Sequence, residues 1–185
     1  REEVHLGSSM YVPSDVSFSD EKAPLEVYDV KERFERELLV NANLHSSTIL
    51  IIKRANRAFP VIEPILKQYN VPDDFKYLAV IESALTNAVS SAGARGFWQF
   101  MEPTAKESGM EVTPVVDERY HLVKSTHAAC AYLLKAKEKF GSWTLAAASY
   151  NAGMTGISNQ MEAQKVSNYY DLLLNEETSR YVFRI

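Results

Sequence analysis

A chain of 185 residues, 46% of them hydrophobic, is long enough to bury a core without disulfides or metals and fits one domain. Lys and Arg number 20 against 24 Asp and Glu; the formal charge of -4 excludes a nucleic-acid binder working by phosphate neutralisation. It equally excludes bulk attraction to an anionic polymer, so any such polymer must be recognised by a shaped groove. Seven glycines, seven prolines and long Ala/Leu/Glu/Lys-rich runs point to helix rather than to a sandwich or barrel. The single cysteine, Cys130, lies in an apolar run and reads as a small buried hydrophobe. No apolar run approaches the roughly 18 residues of a membrane span, and the start Arg-Glu-Glu-Val lacks a basic-then-apolar signal, so the chain reads as a mature or trimmed segment.

Residues 1–26, rich in Ser, Asp and Pro without a sustained apolar period, read as a linker or a strap over the surface; residues 27–185 read as the domain. Val30, Phe34 and Leu38 mark an amphipathic helix with Lys31, Glu32, Glu35 and Arg36 outside. Ser46 or Ser47 is expected to cap the next helix, with an apolar face of Ile49, Ile52, Ala55 and Phe59 and a solvated face bearing Arg54 and Arg57. Pro60 is expected to break it, with a separate helix over Val61 to Tyr69. Pro72 and Asp73 then open a helix that carries Glu82 near its end, among Leu78, Val80, Ile81 and Leu85.

Glu82 organises the functional reading. An isolated glutamate at a helix end is ordinarily a solvated charge. Here an apolar setting and the negative end of a helix dipole both disfavour the ionised form, and a carboxyl that ionises reluctantly is a candidate general acid at neutral pH. Thr86 to Ala94 reads as a loop, Arg95 as a surface charge or a ligand contact, and Pro103 to Gly109 as a short helix with its stop. Asp117, Glu118 and Arg119 read as a structural charge cluster, and His5, His45, His121 and His127 lack metal-ligand spacing, so no metal site is expected. Leu122 to Phe140 should be the longest helix and central, stopped by Gly141; Ser142 should cap Trp143 to Tyr150; Ser167 should open a helix through Leu173, and Thr178 to Ile185 should form the last. Every element so read is helical.

Four stretches stand in sequence: Glu82-Ser83; Gly96-Phe97-Trp98-Gln99-Phe100-Met101; Tyr150-Asn151-Ala152-Gly153; and Glu177 to Val182, which includes Tyr181. In this order they resemble the lytic transglycosylases of the soluble type, most closely the membrane-bound type D branch, over roughly residues 28–185. Met101-Glu102-Pro103 stands where that family usually has Met-Pro. The resemblance implies an all-α, lysozyme-like (goose-type or soluble lytic transglycosylase) domain in the cell envelope, periplasmic or associated with the outer membrane. It would act as a monomer on peptidoglycan glycan strands, with no cofactor and no nucleic acid.

Glycosidases ordinarily need two carboxylates around the scissile bond, and only Glu82 is a credible candidate in this sequence. The resemblance supplies the remainder: the substrate's own acetamido oxygen assists, and Glu82 acts first as acid and then as base to give a 1,6-anhydro sugar without water. It also implies that Ser83 and Gln99 bind substrate or hold Glu82, that Asn151 binds the acetamido group or orders the site, and that Tyr150 and Tyr181 orient Glu82 and the sugar. Trp98 is expected to line a subsite or to sit in the core. A goose-type-lysozyme-like muramidase, a chitin-active relative and a non-catalytic wall-binding module are the alternatives.

Overall fold

In the computed structural model, which describes residues 11–42 and 45–185, the first regular element of the described residues is a small antiparallel hairpin, β1 (Ser17–Phe18) and β2 (Glu21–Lys22), with Ser19 and Asp20 at positive φ in its turn. His5 and the first ten residues of the expected strap lie outside the described residues. The hairpin is tied to the domain at both ends. Phe18 is buried edge-on against Phe75, the Ser19 amide donates to Asp74 at 2.7 Å, and the Glu21 carboxylate accepts from the Trp143 and Thr144 amides and from the Ser142 and Thr144 hydroxyls.

Glu21 thereby caps, from far away in sequence, the positive end of a helix beginning at Trp143. Burial pushes its pKa up, but the hydrogen bonds from Thr144, Trp143 and Ser142 outweigh this and leave it below the ordinary 4.5. A lowered folded pKa stabilises the fold above pH 4.5, and that stability is lost as pH falls through the folded value. Glu21→Ala should therefore cost about 2–3 kcal/mol at neutral pH, the scale of a charge-assisted hydrogen-bond cluster. Urea midpoints of variant and wild type should converge as the solution is acidified.

Eight α-helices follow among the described residues. Helix α1 (Tyr28–Ala42) buries Val30 and half-buries Phe34, as the spacing predicts. It also buries Glu37, at 2% exposure, which accepts from Arg180 Nε at 2.5 Å and Nη2 at 3.3 Å and so fastens α1 to the last helix.

Helix α2 (His45–Gln68) departs from expectation in three ways. It starts before Ser46, so neither serine is its cap. It runs unbroken through Pro60 and Pro64. An internal proline costs about 3 kcal/mol, whereas full burial of each large aliphatic returns about 1.5–3 kcal/mol; Ile62 and Leu66 are fully buried and Ala58 and Ile65 nearly so, which offsets the lost bonds. The face also differs, since Ile49 and Ile52 are exposed while Ile51, Ala55 and Phe59 pack on the core.

After a 3₁₀ turn over Asp73–Phe75 comes α3 (Lys76–Ser83), then the motif loop and α4 (Glu102–Glu107), whose first turn holds Pro103. Helix α5 (Leu122–Phe140) ends at Gly141 in the left-handed region as foreseen, but at 19 residues it is shorter than the 24-residue α2. It is nonetheless central: Ala129, Cys130, Leu133 and Ala136 are fully buried, and α2 and α6 (Trp143–Ala152) pack on it. Burial pushes the Cys130 thiol up to about 12. Ser142 caps α6 by accepting from the Leu145 amide, and the fully buried Ala146, Ala147 and Ala148 allow close approach.

Helix α7 (Met154–Gln164), which the sequence reading does not assign, follows directly after Gly153. The helix expected from Ser167 is only a 3₁₀ turn at Tyr169–Asp171: Asn168 accepts from the Asp171 amide, and the chain is extended again at Leu172. Helix α8 (Glu176–Arg184) closes the domain against α1 and α6. No helix of the described residues is long and apolar enough to cross a membrane.

Candidate active site

Glu82 sits in the last turn of α3, which ends abruptly because Ala84 and Leu85 both adopt positive φ. The freed Ala84 carbonyl accepts from Arg54 Nη1 at 3.1 Å. Arg54, expected on a solvated face, is thus a cation placed against the negative end of the site helix.

The motif loop docks on the same helix end. Ser83 is buried, and its hydroxyl reaches the Ala79 carbonyl at 3.1 Å and the Phe97 carbonyl at 2.8 Å. Ser83 therefore joins loop to helix. Isolated bridges Val89 to Arg95 and Arg95 to Phe100 shape the loop. Gln99, in the left-handed region with φ of 51°, donates through Nε2 to the Ala88 carbonyl at 3.0 Å and the Gly96 carbonyl at 2.9 Å. Its Oε1 is the group left for a ligand.

Behind the loop, Arg119 is 3% exposed. It donates to both Asp117 oxygens, at 2.8 and 2.7 Å, and to the carbonyls of Gly93 and Phe100. The expected charge cluster is structural, and it clamps the loop from outside.

Trp98 is fully buried, with its indole donating to Thr126 at 2.9 Å. It cannot line a subsite, because a side chain on the inner face of the loop packs on α5. Its contribution passes through its carbonyl, which accepts from the Tyr150 hydroxyl at 2.7 Å. Tyr150 also packs edge-on against Trp98, Phe100 and Tyr132, and so joins α6 to the loop. Its only proton is committed to the Trp98 carbonyl, so this side chain holds the loop in place.

Tyr181, on α8, reaches the Glu82 carboxyl. At 2% exposure, it donates its hydroxyl to Glu82 Oε1. Burial raises the pKa of Glu82; the Tyr181 hydrogen bond lowers it, Glu177 raises it and Arg184 lowers it, and the balance lies above the ordinary 4.5. Glu177, quoted within a motif yet given no role from sequence, thus acts on the Glu82 carboxyl through its charge. Asn151 positions it, donating Nδ2 to Glu177 at 2.9 Å while Oδ1 accepts from the buried Thr178 hydroxyl at 2.7 Å. Only the closure of α8 onto α6 brings Asn151 and Glu177 together, which no local spacing reveals.

A cavity of about 290 Å³ opens between the loop and the end of α6, lined by Gln99, Phe100, Met101, Thr104, Tyr132, Tyr150, Asn151, Ala152 and Gly153. Gly153, φ 78°, turns the chain sharply out of α6 at its edge.

A helical domain that holds a reluctant carboxyl at a helix end, with a tyrosine on it and a motif loop beside it, is of the lysozyme-like class. Residues 59–173 match the Transglycosylase SLT domain, and the chain belongs to that family. It is 31% identical over 159 residues to the membrane-bound lytic murein transglycosylase D of Escherichia coli (strain K12), covering 83% of this chain and 34% of that protein. It is 30% identical over 115 residues to a protein of Alteromonas sp. (strain M-1) named for tributyltin chloride resistance, covering 57% of this chain and 56% of that one. The chain thus spans about a third of the length of the first of these relatives.

Proposed function

We propose that residues 27–185 form the catalytic domain of a peptidoglycan lytic transglycosylase of the cell envelope, acting as a monomer, with Glu82 as its single acid and base. The observation that carries this reading is the Glu82 carboxyl: half-buried, held by Tyr181, and raised in pKa within a domain of the SLT family. Protonated Glu82 donates to the glycosidic oxygen of a MurNAc-GlcNAc bond. The bond from that oxygen to C1 of the muramic acid breaks, and the acetamido oxygen of the same sugar stabilises the positive centre. The 6-hydroxyl oxygen then attacks C1 and gives its proton to the Glu82 carboxylate, which restores the acid and closes a 1,6-anhydro ring. No water is consumed.

Gln99 Oε1 accepts from the sugar, and Tyr181 fixes the carboxyl. Asn151, with both ends of its amide engaged, orders Glu177 instead of contacting the acetamido group.

Mass spectrometry of muropeptides released from purified peptidoglycan tests the reading. Products lighter by one water and resistant to borohydride reduction are expected; reducible products would make the protein a hydrolase. One observation favours that second reading: Glu177 is a carboxylate close enough to oppose ionisation of Glu82, and a second carboxylate can serve a water. Against it, Glu177 already accepts from Asn151.

Because Glu177 raises the pKa of Glu82, Glu177→Gln should lower it while keeping the bond from Asn151. Activity that needs protonated Glu82 falls as pH rises through that pKa. The alkaline limb of the pH profile should therefore move to lower pH in the variant, and an unmoved limb would remove Glu177 from the electrostatics of the site.

A further inference from the structure

The first half of α2 turns an apolar end to solvent. Ile49, Leu50 and Ile52 are 60%, 50% and 56% exposed. Helix geometry sorts these turns into two opposite faces. On one, Ile51 and Ala55 pack on the core and Arg54 reaches the Ala84 carbonyl beside the site helix. On the other, Ile49, Ile52, Lys53 and Arg57 stand at i, i+3, i+4 and i+8, a single stripe whose four residues are all exposed. A partner seated on that stripe lies against the side of α2 turned away from the end of α3.

The stripe is graded along its length. Its two isoleucines lie toward the start of α2 and its two cations one turn further on, a separation of about 7 Å at roughly 1.5 Å per residue. Between Glu37 and Glu63 the sequence holds no Asp or Glu, whereas Lys53, Arg54 and Arg57 all fall there, on a chain of net -4. Lys53 and Arg57 take part in no ion pair among the described residues. No acidic residue stands in the first turn of α2 to offset the positive end of its dipole. Cations that no protein anion answers, one turn from aliphatic side chains left in water, call for a partner that is anionic at one depth and apolar at the next.

A bilayer with anionic headgroups has that layering. The apolar side chains of an interfacial helix enter about 5–10 Å into the boundary between headgroups and acyl chains, while Lys and Arg stay level with the phosphates. The grade along α2 matches that depth. An acidic protein surface offers the anions without a layer of hydrocarbon behind them.

We propose that the outward stripe of α2 docks this domain on an anionic lipid surface, with Ile49 and Ile52 entering the acyl boundary and Lys53 and Arg57 on lipid phosphates. The helix lies at the bilayer surface and does not cross it. The contact is made by the domain itself, and it stands apart from the transglycosylase reading because it needs no turnover.

Sedimentation of the purified chain with vesicles tests the proposal. Vesicles of equal parts phosphatidylcholine and phosphatidylglycerol should bind the chain, and phosphatidylcholine alone should hold it at least about tenfold more weakly. Lys53→Gln with Arg57→Gln should weaken binding to the mixed vesicles about thirtyfold, at roughly fivefold for each cation. Lys135→Gln with Lys139→Gln removes the same charge from exposed positions on α5 and should leave binding unchanged. An equal loss there would reduce the effect to net charge and overturn the site. Ile49→Ser with Ile52→Ser should weaken binding by at least about tenfold, with the urea midpoint of wild type because both side chains are exposed.

Insertion is read separately from Ile49→Trp. Lipids brominated near the headgroup end of the chain should quench the added fluorescence, and a lack of quenching overturns the proposal. Absence of binding to both kinds of vesicle, or binding that the isoleucine and the cation double variants both retain, overturns it as well. So does a concentration-dependent dimer in sedimentation velocity that Ile49→Ser with Ile52→Ser abolishes, since a second copy of the chain would then occupy the stripe.

Discussion

Glu82→Gln is expected to lower strand cleavage by at least about a hundredfold, the usual cost of losing a general acid or base, while the domain stays folded. Glutamine keeps the shape and still accepts from Tyr181, so the site helix and α8 remain joined. What disappears is the transferable proton. The stability of the variant carries a separate signature. A carboxyl whose folded pKa is raised makes the native state progressively less stable as pH climbs from the unfolded value of 4.5 to the folded one, because the native state must ionise a group it would rather keep neutral. Glutamine has no such slope. Melting temperatures of variant and wild type should coincide below pH 4.5 and separate above it, the variant being higher at neutral pH. Full activity in the variant would show that the acid is another residue. Equal melting temperatures at every pH would show that Glu82 is not desolvated.

The local part of this site is legible in sequence because it follows from short-range rules. Pro72 and Asp73 set the start of the segment leading into α3, which fixes Glu82 in a last turn among apolar neighbours. Ser142 and Gly141 mark the turn between α5 and α6 by capping chemistry alone. Periodicity misleads where burial outweighs propensity, as at Pro60, where Ile62 and Leu66 hold the helix together through the missing hydrogen bond. It misleads again at Ser167, where a cap by Asn168 gives one 3₁₀ turn and no more.

Partnerships across the chain are illegible for a different reason. Glu21 with α6, Glu37 with Arg180, Arg54 with Ala84 and Asn151 with Glu177 join residues that are 26 to 143 positions apart, and nothing in the residues nearby distinguishes these side chains from solvated ones. Trp98 shows the same limit inside a motif. Its place in the order of residues says that it is near the site, but whether its ring faces the groove or α5 depends on how the loop is clamped.

That clamp makes Gly96→Ala the variant expected to unfold the site most severely. Gly96 sits at φ 85°, and an added Cβ would stand 2.0 Å from the Arg119 carbonyl oxygen, a backbone atom held in a 3₁₀ turn and unable to swing away. The left-handed conformation costs alanine about 1–2 kcal/mol, and forcing the loop off Arg119 adds about 1–3 kcal/mol more. The loop cannot move alone: Gly96 donates to Ala88 at 3.0 Å, its carbonyl accepts from Gln99, and Arg119 holds Gly93 and Phe100 on either side. The urea midpoint should fall by about 1–2.5 M, given a slope of roughly 2 kcal/mol per molar, and cleavage should fail with it because Gln99 and the Trp98 carbonyl lose their places. Gly93→Ala is the control. It carries the same conformational cost at φ 90° but meets nothing within 4 Å, so it should lose only that roughly 1–2 kcal/mol. Equal losses at the two positions would mean that backbone strain, and not the contact with Arg119, is what Gly96 avoids.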